Sequence, residues 1–249
     1  MALQTVWTVE KRIFTYETDF LGRWKPSSIF QTMQEAALAH AEHLGVGYEA
    51  LRRRGLAWIL VRVRLHLEKL PGMGCGVRLS TWPCGIDQKI LFVRDFAIHT
   101  ADGQEVAAAS TVWLLVDMET RRLVQPDRLG VQLPENNGRR ALAETPPKLA
   151  LPPDLSACFS AAARYSTLDV NGHVTNTVYV DWALDCFAPQ EHHQRRLEWL
   201  QINYISEIKP GGEVQMFAGG DGQVRYVRGV HTHSGATAFE AALGWGDAG

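Results

Sequence analysis

The residues best suited to chemistry lie in one short stretch, where a carboxylate, an amide and an imidazole alternate as Asp169, Asn171 and His173. Apolar residues at spacings of three and four follow, which predicts a helix beginning near Thr177 with Asn176 as its N-cap. A helix N-terminus presents backbone N–H groups and the positive end of the helix dipole, where a carbonyl oxygen can be polarised. We therefore expect the three side chains to stand at the N-terminal end of a buried helix.

The same residues also have a simpler interpretation when each is taken alone. An Asp-x-Asn-Gly segment is usually a turn in which the Asp and Asn side chains bond their own backbone. A single histidine before an apolar helix is more often structural than catalytic. The pattern of residues 169–173 therefore leaves a catalytic loop and an ordinary turn both open.

An earlier part of the chain repeats this loop at an offset of 150 residues. The recurring pairs are Asp19 with Asp169, Gly22 with Gly172, Ser27 with Thr177 and Glu35 with Asp185. Two copies of one supersecondary unit explain this agreement most economically. Leu21 and Arg23 stand where the second copy has its amide and imidazole, so we expect the chemistry in the C-terminal copy.

The composition limits the classes of protein to consider. The chain has 249 residues, of which 46% are hydrophobic and 21% charged, which suits folded lobes with full cores. The net charge of −2 gives no general attraction to nucleic acid or to an anionic membrane, so neither is expected as a partner. The cysteines show no metal-binding spacing, and the N-terminus shows no signal or transit pattern. We expect a cytoplasmic protein.

The order of predicted elements indicates an α+β fold of two similar lobes. Residues 1–125 combine a long helix over 27–44 with several antiparallel strands, and residues 158–249 repeat that order. The predicted strands of the second lobe include one over 197–208. Residues 126–157 are rich in proline, glutamate and asparagine, which is typical of a linker.

A longer motif within this pattern resembles a known family. The segment Leu168-Asp-Val-Asn-Gly-His-Val-Thr-Asn-Thr-Val-Tyr179 is similar to the L-D-V-N-x-H-V-N-N-x-x-Y pattern of plant and bacterial acyl-acyl-carrier-protein thioesterases. Segments of the first lobe agree, among them Ser80-Thr-Trp-Pro-Cys-Gly-Ile-Asp87. The resemblance implies a tandem hotdog fold, each lobe a long helix wrapped by an antiparallel sheet. It also implies hydrolysis of the thioester between a fatty acyl chain and acyl carrier protein.

The family resemblance assigns the catalytic set to Asp169, Asn171, His173 and Glu207. Thioester hydrolysis needs an activated water and a donor for the oxyanion, so we assign Glu207 as the general base. Asn171 would position the water or the carbonyl, and Asp169 would hold the loop or orient its side chains. His173 would donate to the thioester oxygen or take part in proton transfer. Backbone N–H groups over residues 174–177 would complete an oxyanion site. Ile208 replaces the cysteine that many plant members have after this glutamate, which removes a Cys-His-Asn mechanism. Taken alone, Glu207 would be read as a solvated strand end.

The resemblance also implies how substrate is bound. A long acyl chain needs an apolar cavity, for which Phe30, Met33 and Trp58 are candidates, although Trp58 is first of all a core residue. Acyl carrier protein is the expected partner, no metal or cofactor is expected, and a homodimer is compatible with the sequence. The alternatives are an acyl-CoA thioesterase of the hotdog superfamily, and a non-catalytic acyl-binding hotdog protein.

Overall fold

Two units of the chain each combine helices with an antiparallel sheet in the computed structural model, which describes residues 3–134, 136, 138–220 and 222–247. The first unit comprises Met1–Pro146 and the second Pro147–Gly249. Each unit therefore mixes helices and antiparallel strands, as an α+β fold requires.

The first unit packs a long helix against its sheet. Its helices are α1 (Pro26–His43) and α2 (Tyr48–Arg52), and its strands are β1 (Trp7–Arg12), β2 (Leu56–Leu67), β3 (Gly76–Asp87), β4 (Leu91–Thr100) and β5 (Glu105–Asp117). The strands are antiparallel in the order β1-β3-β4-β5-β2. Helix α1 buries an apolar stripe at helical spacing, consisting of Ile29, Phe30, Met33, Ala36 and Ala37. This stripe holds the helix on the sheet, where it contacts β1 and β3.

The second unit repeats this arrangement. Its helices are α3 (Asn176–Asp185) and α4 (Pro189–Gln194), and its strands are β6 (Ser156–Ala162), β7 (Arg195–Tyr204), β8 (Glu213–Gly219), β9 (Val224–His231) and β10 (Thr237–Asp247). The strands are antiparallel in the order β7-β10-β9-β8-β6. The Tyr179 ring of α3 meets Tyr204 of β7 and Phe239 of β10 edge-on, at centroid distances of 5.4 and 5.2 Å. These contacts hold α3 against β7 and β10.

The structure confirms the internal repeat. A 3-10 turn at Thr15–Glu17 and the first residue of α1, Pro26, recur 150 positions later as the turn Tyr165–Thr167 and Asn176. Both copies therefore pass from a 3-10 turn through a short loop into a helix.

Two local expectations were wrong, and one helix was not foreseen. Asn176 is the first helical residue and Thr175, with extended backbone at ψ 142°, is the N-cap. Helix α4 was not expected, yet Pro189 suits its first position, where the missing N–H costs nothing. Strand β7 ends at Tyr204 instead of continuing to 208, because Ile205 and Ser206 both donate their N–H to Ala238 O, at 2.9 and 3.0 Å. Glu207 consequently lies in the segment after the strand.

Candidate active site

The loop over residues 169–173 is closed by a single carboxylate. Asp169 Oδ1 accepts the backbone N–H groups of Asn171 and His173, at 2.8 and 3.2 Å. The backbone adds a bond from Asp169 N–H to His173 O at 2.8 Å, and Gly172 adopts φ +72°, which suits glycine. The ordinary turn is therefore present, and it fixes the direction in which the His173 side chain leaves the loop.

His173 points to the glutamate predicted as its partner. Its Nε2 lies 3.2 Å from Glu207 Oε2, and the two side chains are 23% and 43% exposed. The backbone joins the same two segments, because Val174 N–H donates to Ile208 O at 2.9 Å. An imidazole and a carboxylate from distant parts of the sequence are thus held in contact where solvent reaches them.

The other two predicted residues lie on the same loop. Asn171 is exposed, and its Nδ2 is 3.5 Å from Asp169 Oδ2, a distance at the limit of a hydrogen bond. Asp169 is half-buried and is occupied by the loop's own N–H groups. Its carboxylate is therefore placed to orient the loop, and the Asn171 amide is placed to meet a ligand from solvent.

Two of the backbone donors expected at an oxyanion site are engaged elsewhere. Val174 N–H bonds Ile208 O, and Thr175 N–H bonds Thr167 O at 2.9 Å. The expectation for these two groups was wrong, because they anchor the loop to its surroundings. Asn176 and Thr177 begin α3, and the first N–H groups of a helix have no intrahelical acceptor.

Tyr179 is a neighbour of this site to which the sequence reasoning gave no role. It is buried on α3, and burial raises the pKa of its phenol to about 12, with the Glu207 and Asp169 carboxylates adding to the rise. The Ile208 backbone acts against this rise in the pKa of the phenol. The phenol is therefore neutral near pH 7 and lies beside the segment that carries Glu207. Its position three residues after Asn176, on the buried face of α3, is the signal that could have identified it.

Comparison with known proteins identifies the family. Residues 4–127 match the acyl-ACP thioesterase N-terminal domain, and residues 156–246 match the acyl-ACP thioesterase C-terminal domain. The chain belongs to the acyl-ACP thioesterase family. Each matched range covers one copy of the internal repeat, and all four predicted catalytic residues fall in the second range.

Plant acyl-ACP thioesterases are among the relatives in sequence. Oleoyl-acyl carrier protein thioesterase 1, chloroplastic, from Arabidopsis thaliana is 25% identical over 202 residues, which is 73% of this chain and 55% of that protein. Palmitoyl-acyl carrier protein thioesterase, chloroplastic, from the same plant is 28% identical over 193 residues, or 72% of this chain and 47% of that protein. The chain spans about half the length of these curated relatives.

Solved structures in this family share the fold. An acyl-ACP thioesterase from Bacteroides thetaiotaomicron superposes with a TM-score of 0.82 at 21% identity, covering 97% of this chain and 98% of that chain. The 12:0-ACP thioesterase from Umbellularia californica gives a TM-score of 0.83 at 21% identity, covering 98% of both chains. These likenesses confirm the tandem hotdog fold that the sequence resemblance implies.

Cys186 of the second unit is poorly suited to act as a nucleophile. Burial, followed by the neighbouring Cys158 thiol, raises the pKa of Cys186, and its Sγ donates to Trp182 O at 3.4 Å. A raised pKa keeps the thiol protonated and weakly nucleophilic. Ile208, at the position after Glu207, is fully buried.

The residues predicted to bind the acyl chain lie in the first unit. Phe30 and Met33 are buried on α1, whereas Trp58 of β2 is half-buried and donates its indole N–H to Val46 O at 3.0 Å. A cavity of about 420 Å³ in this unit has other lining residues, which include Cys84, Asp87, Arg140 and Glu144.

No helix in the described part of the chain is long and apolar enough to cross a membrane.

Proposed function

We propose that this protein hydrolyses the thioester of acyl-acyl carrier protein and releases a free fatty acid. The observation that carries the proposal is the 3.2 Å contact between His173 Nε2 and Glu207 Oε2 beside the N-terminus of α3. Thioester hydrolysis needs a base for water, donors for the developing oxyanion and a route for a proton to the departing sulfur. This region offers residues for all three tasks.

Glu207 is proposed as the general base. Its side chain is 43% exposed, so water can reach the carboxylate, while Oε2 lies 3.2 Å from His173 Nε2. Water loses one proton to Glu207 as its oxygen attacks the thioester carbon. Glu207 passes this proton to His173, which it contacts directly, and His173 delivers it to the sulfur as the C–S bond breaks. The second hydrogen of the water stays on the released acid.

The remaining groups hold the reacting atoms. The exposed Asn171 amide is proposed to position the water or the thioester carbonyl, on a loop that Asp169 keeps closed. The N–H groups of Asn176 and Thr177 are proposed as oxyanion donors, because they begin a helix and lie three to four residues beyond His173.

The substrate assignment is drawn from the named relatives. The Arabidopsis proteins are named for oleoyl- and palmitoyl-acyl carrier protein, which supports an acyl carrier protein thioester as substrate here. The first unit lacks a histidine at the His173 position, since Arg23 stands there, so we propose that it serves the acyl chain. Phe30, Met33 and Trp58 would then line the acyl site.

The test compares acyl carrier protein and CoA thioesters over a range of chain lengths, using the wild type and Glu207→Gln. Glutamine keeps the shape of the side chain but removes its basicity, so kcat should fall by roughly 10²–10⁴. Cys158→Ser and Cys186→Ser are the matched controls and should keep wild-type rates under reducing conditions. Thermal melts of all variants show whether each one is folded.

The outcomes separate the candidate functions. Faster hydrolysis of CoA thioesters would favour the acyl-CoA thioesterase alternative, whereas tight acyl binding without turnover would favour a binding protein. An active Glu207→Gln enzyme with an inactive cysteine variant would contradict the general-base mechanism.

A further inference from the structure

The segment that carries Glu207 is not held by the regular sheet. Strand β7 ends at Tyr204, and the following two N–H groups converge on a single acceptor, Ala238 O. Beyond this point the β7 ladder no longer sets the direction of the chain. The Glu207 side chain is also 43% exposed, and an exposed glutamate samples several rotamers unless its surroundings restrict it.

A side-chain pair fixes the residue immediately before Glu207. The Ser206 hydroxyl donates to Thr237 O at 2.9 Å, and its oxygen lies 2.9 Å from His231 Nε2. A hydroxyl has one proton, so with that proton directed at Thr237 O the imidazole must be the donor in the second bond. His231 ends β9 and Thr237 begins β10, so Ser206 is bonded to both strands of one hairpin.

The residue immediately after Glu207 is fixed from the opposite side. Ile208 is fully buried, and its carbonyl accepts the N–H of Val174, which directly follows His173. Glu207 is therefore held between an anchor to the β9–β10 hairpin and an anchor to the loop that carries His173.

We propose that Ser206 and His231 are positioning residues that hold the Glu207 carboxylate against His173. The proposal rests on the function proposed above, in which this carboxylate activates water. A displacement of about 1 Å at a reacting group can cost around 10²-fold in rate, so an anchor one residue away influences turnover without touching the substrate.

A serine beside a histidine also has a competing interpretation as a nucleophile and its base. That mechanism requires the imidazole to accept the hydroxyl proton. Here the hydroxyl proton is directed at Thr237 O and the imidazole donates, which is the reverse arrangement. The geometry therefore favours positioning, and the experiment includes the nucleophile as an outcome.

The test begins with Ser206→Ala and His231→Phe, which each remove one partner of the same bond. Both should lower kcat by roughly 10- to 100-fold while KM stays within about twofold, since substrate contacts are intact. Ser206→Thr restores a hydroxyl and should recover most of the rate. Ser160→Ala is the matched control, because it removes a comparable bond, to Gln215 Oε1 at 2.8 Å, on the edge strand β6 of the same unit; its rate should be unchanged.

A double mutant separates positioning of Glu207 from general damage. In a Glu207→Gln background, Ser206→Ala should cause little further loss, because residues that act through one group are not additive. An equal loss in both backgrounds would overturn the proposal. Labelling of Ser206 by a fluorophosphonate, together with an active Glu207→Gln enzyme, would overturn it in favour of the nucleophile.

A structural measurement keeps this inference distinct from the function. In a crystal structure of Ser206→Ala, the His173 Nε2 to Glu207 Oε2 distance should exceed the 3.2 Å of the wild type. If the wild type hydrolyses no thioester but this distance lengthens, the proposed function fails and the positioning role stands. An unchanged distance, in the folded alanine variant and in His231→Phe, would refute the positioning role.

Discussion

The loops over residues 19–23 and 169–173 have nearly the same geometry and different chemistry. In the first, Asp19 Oδ1 accepts the N–H groups of Leu21 and Arg23, both at 2.9 Å, as Asp169 Oδ1 does for residues 171 and 173. Gly22 and Gly172 adopt φ of +74° and +72°. The Asp-Gly loop is therefore a scaffold for the turn into each helix, and its presence alone does not indicate a catalytic site.

The difference lies in what the loop presents. The Arg23 side chain folds back onto its own loop, with Nε 3.1 Å from Asp19 Oδ2, whereas His173 reaches across to Glu207. Trp24 N–H bonds Pro71 O as Val174 N–H bonds Ile208 O, both at 2.9 Å, which makes Leu70 the counterpart of Glu207. The two loops therefore differ at two pairs of equivalent positions. The structural loop has Arg23 and Leu70 where the candidate active site has His173 and Glu207.

The largest expected effect comes from giving the second loop the side chain of the first. His173→Arg places a permanent cation near Glu207 and removes the imidazole, so kcat should fall by roughly 10²–10⁴ with the fold retained. Steady-state hydrolysis of an acyl carrier protein thioester measures the loss. The reciprocal Arg23→His should leave the rate unchanged, because Leu70 provides no base; a marked fall in that variant would show that the first loop takes part in the chemistry.

A second prediction concerns the role left to the first unit. Met33 is 3% exposed, so Met33→Phe should shorten an acyl site that lies beside it. One methylene group that a pocket can no longer accept costs roughly 1–3 kcal/mol of transition-state binding. The ratio of kcat/KM for long over short acyl chains should fall by about tenfold. Val77→Ile, which enlarges a buried residue on β3, is the control for overpacking. If neither Met33→Phe nor an enlarging substitution at Phe30 changes the chain-length profile, the acyl chain binds elsewhere.

Much of this site was predictable because it is local in sequence. Asp169, Gly172 and His173 lie in one loop, and their turn follows from the bonding habits of aspartate and glycine. The contact between residues 173 and 207 is not local, and only the family resemblance assigned it. The anchors at Ser206 and His231 were not foreseen, because alternation over 197–208 resembles a continuous strand and conceals the point at which the ladder ends. Backbone donors at Val174 and Thr175 were misassigned because their acceptors lie outside the motif.

A third prediction removes the carboxylate that closes each loop. Asp169→Ala and Asp19→Ala each leave two backbone N–H groups without their acceptor, so each should lose roughly 1–3 kcal/mol of unfolding free energy. Denaturant titration followed by circular dichroism measures this loss. Both variants should be destabilised similarly, but only Asp169→Ala should also lower kcat in the fraction that remains folded. Equal loss of kcat in both would contradict the division of roles between the loops.

The smallest effect is expected from replacing the loop glycines by alanine. These substitutions change the backbone of each loop without removing a side-chain contact. A Cβ built at Gly22 or Gly172 meets no atom within 4 Å, so alanine introduces no clash and costs only the strain of a left-handed backbone, roughly 1–2 kcal/mol. The fall in melting temperature should therefore be alike for Gly22→Ala and Gly172→Ala. Activity should separate them, because relief of the strain rotates the backbone beside His173 in one case and beside Arg23 in the other. A lower kcat in Gly172→Ala alone, at matched stability, would show that the second loop is held in its strained form for the direction of the imidazole. Equal kcat in the two variants would instead mean that the contact with Glu207 tolerates a change in the loop.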